Sequence, residues 1–212
     1  MVNTAVLVSG GGTNLQAIID ANLSGQIKNC SLSTVISSHP GVYAIQRAQK
    51  AGIPVYVIER AGFPDRAAFT KAILYKLQDL DIELVVYAGF SYILDPPVID
   101  AFANRIINIH PALIPSFCGV GYYGLRVHEA VLAHGVKLTG ATAHFATEIA
   151  DDGPIIIQKA VPVHEGDTPQ TLQRRVMEEA EWKILPEAIS LFCEGRLVVK
   201  GRKVSIISNS EQ

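Results

Sequence analysis

One unit recurs along the first half of the chain: a short apolar run, a turn, then apolar residues at helical spacing. Thr4-Ala5-Val6-Leu7-Val8 opens the series, and Leu15, Ile18, Ile19 and Leu23 follow on one helix face. Strand-like runs return at residues 32–36, 55–58, 83–87 and 105–110, separated by helical patterns at 43–51, 66–80 and 98–103. Apolar runs without polar alternation suit strands covered on both sides, which requires helices on each face of a parallel sheet. The fold class this predicts is α/β, a doubly wound, mostly parallel twisted sheet.

Past residue 111 the pattern changes. A glycine- and aromatic-rich loop at 115–124 leads to a helix around 128–134. Two long β-patterned runs, 137–146 and 155–163, lie close together across an acidic turn and predict late antiparallel strands. Asp167-Thr168-Pro169 is a helix start, because Pro is tolerated in the first turn, where no N–H is needed. That helix is expected to reach residues 191–192, to kink at Pro186 and to end at Gly195. Runs at 197–200 and 204–207 suit a hairpin, and residues 208–212 read as a frayed end. No repeat, linker or low-complexity tract divides the chain, so residues 1–212 are expected to form one domain.

Composition narrows the class of partner. Among 212 residues 49% are hydrophobic and 18% charged, enough apolar material for a substantial core. A formal net charge of −2, with no basic cluster longer than two adjacent residues, gives no footprint for nucleic acid. Cys30, Cys118 and Cys193 are odd in number, far apart and free of any C-x-x-C spacing, which implies reduced thiols. No basic leader precedes the first strand, and no apolar run approaches the length of a membrane span. The expectation is a soluble, cytoplasmic protein with small-molecule partners, no nucleic acid and no membrane, as a monomer or homodimer.

Candidate chemistry lies in three segments. Asn108-Ile109-His110-Pro111 ends the fifth strand-like run, and strand geometry sends Asn108 and His110 to the same face. Pro111 has no ladder donor, so His110 is left at the carboxyl end of its strand, where open α/β sheets take their ligands. An amide can donate to a developing oxyanion and an imidazole can titrate near neutrality, a pairing suited to acyl-type transfer. The alternative is a capping Asn and a His satisfied by backbone. Ser9-Gly10-Gly11-Gly12-Thr13-Asn14 joins the first strand to the first helix. Its glycines let backbone approach a ligand at the positive end of a helix, which outlines a phosphate site. A NAD-type fingerprint fails here, since Leu15 stands where a third Gly is wanted and Ser37-Ser38-His39 supplies no carboxylate. The turn Thr147-Glu148-Ile149-Ala150-Asp151-Asp152-Gly153-Pro154 holds carboxylates that are solvated in the plain reading; one of them could orient and charge a nearby imidazole.

Taken in order, S-G-G-G-T-N-L (9–15), A-G-F-S-Y-I-L (88–94), N-I-H-P-A-L-I-P-S-F (108–117) and H-F-A-T-E-I-A-D-D-G-P-I-I-I-Q (144–158) resemble the phosphoribosylglycinamide formyltransferase family. The resemblance spans about residues 3–195 and implies a formyltransferase, Rossmann-like fold. It divides the domain into a phosphate-binding half, 1–110, and a folate and catalytic half, 111–212. The implied reaction moves a formyl group from 10-formyltetrahydrofolate, a co-substrate, to the amine of glycinamide ribonucleotide in de novo purine biosynthesis, with no metal. Asn108, His110 and Asp151 match the catalytic trio, and Gly12, Thr13 and Asn14 match contacts to the substrate phosphate. Glu181 matches an acidic residue near the glycinamide end, and Arg66, Ser91, Tyr92, Ile93, Leu94 and Asn108 match positions contacting the formyl-folate. On this resemblance Asn108 and a protonated His110 stabilise the oxyanion, while Asp151 keeps His110 charged.

The chain departs from the family pattern in places. Ser91-Tyr92 stands where many members have Met-Arg, and Asp152 replaces the commoner Gly of D-G-G-P, leaving two candidate carboxylates. The loop 118–125 is longer than in compact members and is expected to cover the substrate. His128 and His144 are expected to pack or support the site, and His39, His134 and His164 to be ordinary surface or turn residues. Rival expectations are a formyltetrahydrofolate hydrolase, formyl transfer to initiator methionyl-tRNA, which the acidic balance opposes, and a non-catalytic phospho-sugar-binding protein.

Overall fold

Side-chain alternation along the first strand already shows how the molecule is layered. In β1 (Val2–Val8), Ala5 and Leu7 enter one apolar cluster while Val6 and Val8 enter another on the opposite side. A computed structural model describes residues 1–208, so the end expected to fray lies, apart from Ser208, outside the described residues. Four strands run parallel to β1: β2 (Cys30–Ser37), β3 (Val55–Val57), β4 (Leu84–Tyr87) and β5 (Ile106–His110). Helices α1 (Thr13–Leu23) and α2 (Tyr43–Lys50) pack on one face, and α3 (Arg66–Asp79) and α4 (Pro96–Ala101) on the other. Both faces are therefore covered, as the unbroken apolar runs predict.

The spatial order is β3-β2-β1-β4-β5, so the winding reverses between β1 and β4. Open α/β sheets bind ligands in the crevice outside the carboxyl ends of the strands at such a reversal. Ser9 leaves β1 there and Gly89 leaves β4, joined by a Ser9 N–H to Gly89 carbonyl bond of 3.0 Å.

After α5 (Leu125–His134) the sheet continues with β6 (Leu138–Phe145) and β7 (Ile155–Pro162), each antiparallel to its predecessor. The terminal hairpin, β8 (Leu197–Lys200) and β9 (Lys203–Ile206), adds on beyond β7, where Ile155 pairs with Lys203. The helix expected after Asp167 begins as α6 (Pro169–Val176), with the Thr168 side chain capping the Thr171 N–H and Pro169 in the first turn. The irregularity expected from Pro186 falls upstream of it. Pro186 sits buried inside α7 (Trp182–Cys193), and the irregularity is a wider π turn at Met177–Glu181. That turn lies just upstream of the Trp182 carbonyl, the one Pro186 has no N–H to serve.

The β6–β7 turn leaves no room for a side chain at Gly153. A Cβ there would lie 1.6 Å from the Phe145 carbonyl oxygen, so the chain would have to shift. Gly153→Ala is expected to destabilise by roughly 1–3 kcal/mol. That lowers the melting temperature by about 2–4 °C per kcal/mol in a domain of this size, read by calorimetry. An unchanged melting temperature would contradict the close approach.

Candidate active site

Ile107 and Ile109 pack into the cluster on the α1 and α2 side of the sheet, so Asn108 and His110 face the other way. Antiparallel pairing sets His144 of β6 directly opposite Asn108, with its ring on the same face. The turn after β6 then folds back over that face. Asp151, at φ 56°, takes a left-handed conformation that Asp tolerates, and its carboxylate meets the strand residues. Its Oδ2 lies 3.3 Å from His110 Nδ1 and accepts the Gly119 N–H at 2.9 Å. Its Oδ1 accepts from Asn108 Nδ2 at 3.3 Å and stands 3.7 Å from His144 Nε2. Asp152 points elsewhere, into a two-pronged pair with Arg202 at 3.0 Å for each contact. The structure thus brings Asn108, His110 and Asp151 together and leaves Asp152 out.

Hydrogen bonding fixes one tautomer. His144 Nδ1 lies 2.9 Å from the Phe145 carbonyl and must donate to it, so Nε2 is an acceptor. Asn108 Nδ2 donates to that Nε2 at 3.1 Å, which sets the amide's orientation. His110 is held differently. Its Nε2 faces the Phe117 carbonyl at 2.8 Å and its Nδ1 faces Asp151, so both ring nitrogens meet acceptors. Burial, with the ring only 4% exposed, pulls the His110 pKa down. Asp151 and the Phe117 carbonyl pull it up, His144 pulls it down, and the net direction is downward. Two acceptors suit a ring with a hydrogen on each nitrogen, as in the charged form expected, while desolvation works against that charge. Burial also pushes Asp151 up, but His144, His110 and the Gly119 N–H outweigh it and hold the carboxyl below its usual range.

At the glycine turn, Gly12 caps α1 at φ 71°, and a Cβ there would lie 2.7 Å from Ala44 Cβ and 2.9 Å from Ala44 Cα. Its glycine is thus demanded by α2, whatever the turn binds. Gly10 and Gly11 face open space instead. Asn14 Nδ2 donates to Glu181 Oε2 at 2.7 Å, which ties the π turn to the first turn of α1, and Thr13 Oγ1 approaches Met177 Sδ at 3.7 Å. Glu181 is buried, and burial pushes its pKa up to about 7, against the opposing Asn14 bond.

The segment after β4 borders the same crevice. The Ser91 N–H donates to Ser9 Oγ, Ile93 is exposed, and the Tyr92 ring packs edge-on against Phe69 and Phe90. Arg66, mostly exposed at the start of α3, pairs with Asp95. The Leu94 side chain is buried in the apolar cluster of Phe69, Ile73 and Val98, so its backbone is the part able to face a ligand. A cavity of about 350 Å³ borders Thr70, Leu74 and Asp95, and none of Asn108, His110 and Asp151 lines it.

A model of the formyl transferase family matches residues 2–189. The chain belongs to that family. It is 40% identical to the phosphoribosylglycinamide formyltransferase of Haemophilus influenzae over 94% of its own length and 91% of that protein's. Its fold matches the crystal structure of glycinamide ribonucleotide transformylase 1 from Symbiobacterium toebii with a TM-score of 0.92 and 46% identity, covering 98% of this chain and 95% of that one. The trifunctional purine biosynthetic protein adenosine-3 of Gallus gallus is 40% identical over 93% of the chain, which spans only 19% of that longer relative.

Several residues that matter to this formyl transferase site escaped the sequence reading. The loop expected to be a cover holds His110 and Asp151 directly, through the Phe117 carbonyl and the Gly119 N–H. Phe117 sits at φ 50°, which turns that carbonyl toward the ring. His39, expected to be an ordinary turn residue, stands between Ser38 and Tyr92; the serines around it were the available signal. His128 is fully buried with no hydrogen bond to either ring nitrogen among the described residues. Burial and His110 push its pKa down to about 4, so it packs as a neutral ring. Burial and the charges of Asp151 and Asp152 push the Cys118 thiol up, against a nucleophilic role. No described helix is long and apolar enough to cross a membrane.

The raised Glu181 pKa carries a stability consequence. The folded carboxyl, at about 7, binds its proton more tightly than the ordinary value of 4.5. Its contribution is therefore fully present below about pH 4.5 and is lost as pH rises through about 7, a change on the order of 3 kcal/mol. Glu181→Gln keeps an acceptor for Asn14 and removes the titration. The variant is expected to be more stable than the parent at pH 8, with the gap closing toward pH 5, in denaturant melts. A gap independent of pH would contradict the buried, titrating carboxyl.

Proposed function

We propose that this formyl transferase moves the formyl group of 10-formyltetrahydrofolate to the amine of 5-phosphoribosylglycinamide, in de novo purine biosynthesis. The observation that carries the reading is the convergence of Asn108, His110 and Asp151 on one face, beside the crevice between the glycine turn and the segment after β4. In this reading the Gly10–Thr13 backbone, with Thr13 and Asn14, takes the ribonucleotide phosphate at the amino end of α1. Glu181, bonded to Asn14, lies beside that ligand. Arg66, Ser91, Tyr92, Ile93 and the Leu94 backbone face the folate.

The amine nitrogen attacks the formyl carbon, placing negative charge on the formyl oxygen and positive charge on nitrogen. Asn108 exchanges its longer bond, the 3.3 Å contact to Asp151, for the oxyanion, and such a donor contributes roughly 3 kcal/mol. In its neutral form, which burial favours, His110 takes a proton from the ammonium at Nε2 once the hydrogen directed at Phe117 has passed to Nδ1 beside Asp151. The reacting centre displaces the Phe117 carbonyl from Nε2 to do so. The imidazolium so formed lies beside ionised Asp151, which stabilises it. The proton passes to N10 as the carbon–N10 bond breaks, releasing tetrahydrofolate and the formylated amine.

The decisive assay mixes protein, 10-formyltetrahydrofolate and glycinamide ribonucleotide. Tetrahydrofolate release that depends on the amine supports the transferase, release without it supports a hydrolase, and no turnover supports a binding protein. Asp151→Asn is expected to lower kcat by roughly a hundredfold or more. Asp152→Asn is expected to change it only a few-fold, because an exposed pair contributes little. The reverse ranking would move the role to Asp152. Gly11→Ala adds a methyl into open space at a backbone without positive φ, so the fold tolerates it. Calorimetry is expected to show about tenfold weaker ribonucleotide binding with a smaller change for tetrahydrofolate, a difference of about 1.4 kcal/mol. Equal losses for both ligands would show that the turn is only structural.

A further inference from the structure

The glycine turn and the segment after β4 are joined by side chains lying outside the groups that act on the formyl carbon. The Ser91 N–H donates to Ser9 Oγ at 2.9 Å, and Ser9 Oγ lies 2.6 Å from Ser38 Oγ. Ser38 Oγ is 3.0 Å from His39 Nδ1. His39 Nε2 is 3.4 Å from the Tyr92 hydroxyl, with the two rings stacked at a 5.9 Å centroid distance. The series begins and ends in the 91–92 dipeptide and passes through Ser9, the residue directly before Gly10.

Donor and acceptor counting gives this series a direction. Ser9 Oγ already accepts from Ser91, so its own hydrogen is available to Ser38. Ser38 is 1% exposed, and its hydrogen has His39 Nδ1 at 3.0 Å against the Val8 carbonyl at 3.4 Å. The shorter contact makes Nδ1 the acceptor and puts the His39 proton on Nε2, where it donates to Tyr92. The Tyr92 hydrogen is then left over as the terminal donor of the series. Hydrogen bonds aligned head to tail polarise one another, so the last donor is strengthened.

We propose that Ser9, Ser38 and His39 are positioning residues that present the Tyr92 hydroxyl as a donor to a carbonyl or carboxylate oxygen of the folate, and that this relay couples folate affinity to occupancy of the glycine turn. The inference rests on the reading above, in which the turn takes the ribonucleotide phosphate and the 91–94 segment takes the folate. A phosphate drawing on the N–H groups that follow Ser9 fixes the Ser9 hydroxyl, and through it Ser91 and Tyr92. Linkage requires the converse as well, with folate tightening the ribonucleotide by the same factor.

The test is calorimetric titration of the full chain with tetrahydrofolate, with and without saturating glycinamide ribonucleotide. In the parent protein the ribonucleotide is expected to tighten tetrahydrofolate on the order of fivefold or more. In Ser9→Ala, His39→Phe and Tyr92→Phe that ratio is expected to fall toward one. Tyr92→Phe keeps the ring packing and removes only the hydroxyl, so it reports on the relay even where the other two variants are less stable. In steady-state assays of the same variants, KM for the formyl-folate is expected to rise by more than kcat falls. A parent ratio of one, or a ratio unchanged in Tyr92→Phe and Ser9→Ala, overturns the relay while formyl transfer still proceeds. A parent protein that neither binds nor formylates the ribonucleotide overturns the functional reading and the relay with it.

Discussion

The carboxylate of Asp151 is the junction on which the site is assembled. An ionised carboxyl taken out of water is costly unless donors surround it, and here the donors come from separate parts of the chain. Gly119 brings a backbone N–H from the loop after β5, Asn108 an amide from the strand itself, and His110 a ring that can charge. Each contact constrains a different element, so the loop, the strand and the β6–β7 turn hold a common position. The left-handed backbone at Asp151 and the absence of a side chain at Gly153 are local consequences of bending that turn back over the sheet.

The change from parallel to antiparallel strands makes this possible. The antiparallel β6 sets His144 opposite Asn108 and ends near the turn that carries Asp151. The parallel half contributes the crevice and the helix amino end at the winding reversal. The antiparallel half contributes the acid and the ring that orients Asn108. The Arg202 pair to Asp152 extends that support, since the terminal hairpin holds the residue next to the acid without touching the chemistry.

Much of this was legible because it follows from geometry that does not depend on context. A two-residue period must send Asn108 and His110 to one face, and unbroken apolar runs such as 4–8 and 83–87 must be covered twice. What depended on competing magnitudes was not legible. Asp151 and Asp152 are chemically identical neighbours, and the left-handed backbone at Asp151 with the separate partners of each carboxylate distinguishes them. The charge of His110 turns on burial set against one carboxylate and one carbonyl, a balance that only the folded neighbours fix. His39 looked ordinary because its partner Tyr92 lies 53 residues away, across the crevice. Pro186 was read as a kink from its own chemistry, while the helix took up the strain in a wider turn upstream, and Glu181 at the end of that turn reaches Asn14.

The site's two acids, Asp151 partly buried and Glu181 buried, are pushed in opposite directions, which suits them to different work. Asp151 is surrounded by donors and stays ionised, which suits a group that must stabilise a positive ring as it forms. Glu181 accepts from the Asn14 amide and is pushed up to about 7 by burial. Its place is beside Asn14 at the amino end of α1, where the proposed ligand carries a phosphate. A charged carboxylate there would repel the anion, and the anion in turn raises the pKa of a nearby acid. On the proposed reading, burial of Glu181 weakens a repulsion at the glycine turn, while Asp151 keeps its charge beside His110. On that reading, two carboxyl groups separated by environment alone let one crevice hold an anion at one end and generate a cation at the other.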